Sequence, residues 1–213
     1  MDFNNFLIAI AKIKNIQLPG EASQFKMSPP FRSELIKVYN GAKLKAKRAG
    51  VLALFYPDNQ QRTKLALILR KTYLGVHSAQ IGFPGGRYED KDKTLRQTAI
   101  RETFEEIGIS MNLIEVIQRM TDIYIPPSNF YVQPFFAITK STPVFKKQDS
   151  EVEAILEVAI SELLDDRFVI QESVMSSNGN LVDVPAYVFS GHIVWGETAM
   201  MLSEIKDLTR QIL

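Results

Sequence analysis

A mixed α+β domain behind a helical N-terminal extension is the fold class this sequence predicts, on three observations. Apolar runs of strand length recur from Val51 onward, bounded by turn-forming residues. Among them lies one helical segment, residues 94–107, free of internal Gly and Pro and followed by Gly108 in capping position. The 213 residues, 46% of them hydrophobic, suffice for one sizeable core and little beyond an appendage. No repeat, low-complexity tract or linker divides the chain.

Residues 1–46 read as the extension. Phe6, Ile10 and Ile13 are spaced for one helical face, and Leu18-Pro19-Gly20 stops the pattern. Pro29-Pro30 breaks the chain again before a short helix over residues 33–39. Residues 51–56 and 65–69 are strands separated by a turn at Pro57-Asp58-Asn59. A short extended piece around Gly82 runs into the loop Phe83-Pro84-Gly85-Gly86. After the helix, for which Asp92 or Thr94 is the N-cap, residues 113–120 and 131–139 are strands. The first half of residues 150–164 is ambiguous, with a short helix over 161–164. Residues 184–188 and 192–194 are late strands, and residues 197–213 a helix with Ala199, Leu202, Ile205 and Leu208 on one face.

Composition removes several classes of function. Without Cys there is no disulfide scaffold, thiolate nucleophile or cysteine metal site. With 25 basic against 24 acidic residues, no global field recruits nucleic acid or anionic lipid. Two histidines cannot build a three-histidine zinc centre, so a metal would rest on carboxylates, which favours magnesium or manganese. The first apolar stretch is short, follows Asp2 and lacks a basic leader, so a cytoplasmic protein is expected, without a membrane span.

Chemistry concentrates in Arg101-Glu102-Thr103-Phe104-Glu105-Glu106-Ile107-Gly108. On a helix Glu102, Glu105 and Glu106 converge on one side, and their repulsion, about 0.2–0.5 kcal/mol per close pair, needs an offset. A divalent cation supplies one; Arg101 pairing with Glu105 at i+4 supplies another. Just upstream, Gly85 and Gly86 allow the backbone to approach a ligand, with amides free for phosphate oxygens.

Gly86, five residues, Asp92, eight residues, then Arg101-Glu102…Glu105-Glu106-Ile107-Gly108 resembles the Nudix box, the mark of hydrolases that cleave a nucleoside diphosphate linked to another moiety. The usual box has seven residues before Arg-Glu, so Asp92 serves only with a one-residue insertion, and Lys93 stands where an acid is usual. Leu67–Arg70 and His77-Ser78-Ala79-Gln80-Ile81-Gly82-Phe83-Pro84-Gly85-Gly86 are similar to the signature of the coenzyme A pyrophosphatase branch, and Ile193–Ala199 to its C-terminal strand-to-helix junction.

The resemblance implies an α/β/α sandwich with a mixed β-sheet, the Nudix domain spanning residues 47–213. It implies Mg2+, or Mn2+, held by Glu102, Glu105 and Glu106, with Arg101 orienting a glutamate. Glu151, ahead of Glu153, is the candidate additional ligand or base. Arg70, His77, Gly85, Gly86, Arg87 and Tyr131 are the candidate substrate contacts, and Phe130 could join Tyr131 beside an adenine or pantetheine. The basic cluster Lys43, Lys45, Lys47, Arg48 reads as a solvated loop or a phosphate-contacting surface, and Trp195 as core. The implied substrate is coenzyme A or a thioester of it. ADP-ribose, a dinucleotide or a nucleoside triphosphate is the alternative, as is a non-catalytic nucleotide-sensing module. A homodimer is expected from the family; the apolar first helix is served equally by a partner or by packing within the chain.

Overall fold

The computed structural model describes residues 1–39, 41–71, 80–175 and 181–213. His77, with most of the segment just before Gln80, lies outside them.

Asp2 starts the chain's first helix: its carboxylate accepts the N–H groups of Asn4 and Asn5, capping α1 (Phe3–Ile10). Two short helices follow, α2 (Glu21–Gln24) and α3 (Arg32–Val38), before the sheet begins. Next come β1 (Lys47–Pro57), β2 (Thr63–Arg70), β3 (Ile81–Gly82) and β4 (Gly85–Arg87). Helix α4 (Leu95–Ile107) is followed by β5 (Glu115–Arg119), β6 (Ile123–Ile125), β7 (Phe130–Ile138) and β8 (Val152–Ala159). The chain closes with α5 (Ile160–Leu164), β9 (Val169–Met175), β10 (Leu181–Phe189), β11 (His192–Trp195) and α6 (Gly196–Ile212).

The main sheet is mixed, ordered β3-β2-β1-β7-β5, with β4, β6 and β8 paired onto β1, β7 and β2. Strand β1 runs parallel to β7 over Lys47–Phe55 and antiparallel to β2 and β4. Its residues Val51–Tyr56 form a continuous apolar run because both faces are covered. Leu52, Leu54 and Tyr56 point to the α4 side, with Ala99 and Ile107; Val51, Ala53 and Phe55 point to the α1 and α6 side. This is the α+β sandwich expected from the sequence.

The apolar face of α1 is spent inside the chain. Phe6 is fully buried, its ring centroid 5.1 Å from Phe55 and 6.2 Å from Phe136. Covered in this way, the helix gives no physical reason for a partner subunit. Replacing Phe6 by Leu should cost about 1–1.5 kcal/mol and lower the melting temperature by roughly 2–6 °C. An unchanged thermal melt would show that α1 is peripheral to the core.

Several expectations are corrected. The stretch Gly85–Arg87 is a strand rather than a loop, held in register with Ala49–Val51. Residues 152–159, ambiguous in sequence, form β8, paired with β2. Strands β6 and β9 had no apolar alternation to announce them; Gln171, Glu172 and Ser173 fill the middle of β9. Helix α6 buries far more than one apolar stripe, including Ser203, Glu204 and Thr209. The reason is the extension, which packs on the polar side: Gln24 Nε2 donates to Glu204, Ser203 Oγ to the Ser23 carbonyl, and Lys12 Nζ to the Ile212 carbonyl. Trp195 is half-buried and lines a cavity instead of filling the core. Among the described residues no helix is long and apolar enough to cross a membrane.

Candidate active site

Helix α4 lies directly on β1 at Gly50, where an added Cβ would stand 2.2 Å from the Leu95 carbonyl oxygen. Thr94 is the N-cap, accepting the Gln97 N–H, and Gly108 closes the helix in the left-handed conformation at φ 78°. This close approach sets the acidic face of α4 against β4.

Arg101 organises that face from a buried position. Its Nε and one Nη donate to the two oxygens of Asp92 at 2.9 and 2.8 Å, a bidentate pair. The other Nη donates to Glu102 Oε1 at 2.9 Å and Glu105 Oε2 at 2.8 Å. Asp92, also buried, accepts from Thr98 Oγ1 and the Glu89 N–H. The Arg101 guanidinium therefore holds the Asp92 carboxyl far below the usual carboxylate range. Asp92 reaches the arginine despite the longer spacing, and Lys93 beside it is exposed.

The glutamates do not all converge. Glu106 is turned inward and almost fully buried, accepting the Gly85 N–H at 2.7 Å and facing Arg70 at 3.2 Å. Burial pushes its carboxyl up to about 7; Arg70 and the Gly85 N–H pull it down, Glu102 and Glu151 push it further up. Glu102 is also raised by burial, against the pull of Arg101 and with Glu105 and Glu151 adding to the rise. Glu105 is nearly half exposed and held by Arg101. Of the two offsets to the repulsion open from the sequence, the arginine one is in place: Arg101 bonds Glu102 and Glu105, and Arg70 faces Glu106. Among the described residues no three acidic or histidine side chains stand ready to hold a metal ion. The donor chemistry nevertheless fits one: Glu102, Glu106 and Glu151 act electrostatically on one another and offer the hard oxygens that magnesium or manganese takes.

The glycines serve these acids. Gly85 spends its N–H on Glu106, so that amide is not free for a phosphate. A Cβ on Gly86 would lie 2.5 Å from the Glu102 carboxyl carbon, so only glycine seats that side chain against β4. Gly85, Gly86, Arg70 and Arg87 line a cavity of about 260 Å³. Its walls continue through Phe83, Ile125, Phe130, Val132, Trp195 and Met201. Tyr131 is turned away from it, onto Tyr124 at 5.1 Å, with Lys43 above both rings. Lys47 stands 5.7 Å from the ring centroid of Phe130. Glu151 and Glu153 separate: Glu151 acts electrostatically on Glu102 and Glu106, while Glu153 faces Lys71. Sequence reasoning missed Ser128, Glu197 and Thr198 in the cavity wall. The only signal for the last two was their place directly after Trp195-Gly196.

The NUDIX domain family matches residues 46–177 of this chain. The chain belongs to the Nudix family. Among curated proteins, this Nudix chain is 32% identical over 132 residues to "Peroxisomal coenzyme A diphosphatase ndx-8" of Caenorhabditis elegans, covering 60% of the chain and 56% of that protein. It therefore spans little more than half of that relative's length. It is 29% identical over 141 residues to "Uncharacterized Nudix hydrolase NudL" of Photorhabdus laumondii, covering 66% of the chain and 74% of that protein. Among solved structures, the Nudix hydrolase RenU of M. smegmatis superposes with a TM-score of 0.50 at 14% identity, covering 79% of this chain and 88% of that one. That likeness concerns the fold.

Proposed function

We propose that this Nudix protein is a divalent-metal-dependent pyrophosphohydrolase acting on a nucleoside diphosphate joined to a second moiety, with coenzyme A or its thioesters as substrate. The observation that carries the reading is the buried carboxyl of Glu106, set beside Glu102 and Glu151 and bonded to Arg70 and Gly85, which line the cavity together with Arg87. A buried carboxyl costs stability, and this one persists next to groups suited to phosphate.

Glu102 and Glu106, with Glu105 or Glu151 as the further donor, would hold magnesium or manganese through carboxylate oxygens, the remaining one of that pair staying free. When bound, such a cation neutralises phosphate charge and makes the attacking water more acidic. Arg101 keeps Glu102 and Glu105 in place through its bonds to both. Arg70 and Arg87 bind and orient the pyrophosphate from the cavity wall. Water attacks one phosphorus, the bond from that phosphorus to the bridging oxygen breaks, and the bridging oxygen leaves with the other phosphate. The water's proton passes to a clustered carboxylate, Glu151 or Glu105. With coenzyme A the products are 3',5'-ADP and 4'-phosphopantetheine, acylated when the substrate is a thioester.

Support for coenzyme A comes from the nematode relative named as a coenzyme A diphosphatase and from the segment upstream of Gly86. Lys47, over the ring of the cavity residue Phe130, is a basic group outside the box suited to a 3'-phosphate. The purified protein should turn over coenzyme A with Mg2+ or Mn2+, giving both products by mass, and do so faster than dephospho-coenzyme A. Equal or better turnover of ADP-ribose would transfer the protein to another Nudix substrate class. No metal-dependent turnover of any pyrophosphate compound would favour the nucleotide-sensing reading.

A further inference from the structure

Part of the cavity's wall comes from outside the family-matched residues 46–177: Trp195 and Glu197, at the β11–α6 junction. Behind Glu197 stands Arg32, from the N-terminal extension. Arg32 is buried; one Nη donates to the Tyr124 carbonyl at 2.6 Å and the other faces Glu197 Oε1 at 3.4 Å. The first bond ties the arginine to the backbone next to Ile125, itself a cavity residue. The second draws the Glu197 carboxylate to a fixed place, with a quarter of its side-chain surface open. In the same wall, Ser128 Oγ is buried and has no hydrogen-bond partner among the described residues. A buried hydroxyl without a partner is costly, and a ligand group that pairs with it recovers that cost. Around these two polar groups the wall is apolar and aromatic: Ile125, Phe130, Val132, Trp195 and Met201. An anionic phosphate is ill suited to a site beside a carboxylate. An uncharged group with an N–H donor and a flat or apolar body is well suited.

We propose that Glu197 and Ser128 are specificity-determining residues that read the non-phosphate part of the substrate, Glu197 accepting an N–H and Ser128 pairing a neighbouring polar atom. Arg32 is the positioning residue that holds Glu197. The inference rests on the hydrolase reading for the word substrate, but its test needs no turnover. Two sources carry this chemistry: the exocyclic amine of a purine base, or an amide of a pantetheine arm.

Trp195 is the one tryptophan of the sequence and lines this cavity, so its fluorescence reports occupancy directly. The full chain is titrated with AMP, IMP and 4'-phosphopantetheine. For a base amine, AMP binds about ten-fold tighter than IMP, whose carbonyl would face the carboxylate. Glu197→Gln and Arg32→Gln then shrink that ratio towards one. For an amide donor, AMP and IMP are equivalent, and phosphopantetheine binding weakens about ten-fold in Glu197→Gln. Ser128→Ala, on a half-buried loop residue, weakens whichever ligand is read. Folded Glu197→Gln and Ser128→Ala proteins that bind all three ligands as the wild type does overturn the proposal. Should Glu197→Gln fail to fold, wild-type AMP and IMP affinities that are equal, with Ser128→Ala silent towards every ligand, overturn it too. A wild-type protein without turnover, whose ligand affinities respond to the variants as expected, would count against the hydrolase reading alone.

Discussion

Glu106→Gln should abolish turnover of the best substrate, by about 10³-fold or more, while leaving the fold in place. The amide keeps the size of the carboxylate and can still accept the Gly85 N–H through its oxygen. What it loses is the negative charge that faces Arg70 and that would serve as a hard ligand. Because burial already disfavours that charge, removing it relieves a desolvation cost, so stability should hold or rise slightly. The measurement is kcat at saturating Mg2+ beside a thermal melt of the same preparation. Activity within ten-fold of wild type would remove Glu106 from the reaction. An inactive protein that no longer melts cooperatively would be uninformative alone, so Glu102→Gln, less deeply buried, is the companion variant.

Arg101→Gln should be the most damaging to stability, by about 3–5 kcal/mol, or roughly 6–20 °C in melting temperature. The side chains of Arg101 and Asp92 are both buried, and loss of the guanidinium strands a carboxylate in the interior. It also frees Glu102 and Glu105 to repel each other. Adding Asp92→Asn to the variant should recover part of the loss, a coupling that a double-mutant cycle reads directly. The pH dependence has a definite sign. The native Asp92 carboxyl is held below its unfolded value by the bond from Arg101, so the stabilisation is complete above roughly pH 4. As the pH falls below that value towards the native one, the unfolded state takes up the proton first. The gap between wild type and Arg101→Gln should therefore be widest near neutrality and narrow in acid. A gap that stayed the same down to about pH 2 would place the stabilising interaction elsewhere.

Much of this protein was legible from local pattern alone. The span of α4, its Thr94 and Gly108 caps, the strands through 51–56 and 131–139 and the Arg-Glu…Glu-Glu cluster all follow from periodicity, capping and spacing within one segment. The residues themselves also dictated that any metal must rest on carboxylates, since there is no Cys and only two His. Which acid turns inward could not be read, because Glu102, Glu105 and Glu106 are chemically alike. Burial against Gly85 and Gly86, strand partners of β1, singles out Glu106 and Glu102. The same holds for the counter-charges: Asp92 is nine residues from Arg101, and Arg70 is thirty-six residues from Glu106. Only the tertiary structure could join Arg32, Tyr124 and Glu197, which lie far apart along the chain. Short-range order is written in neighbouring residues, whereas desolvation and pairing depend on which distant segments the sheet brings together.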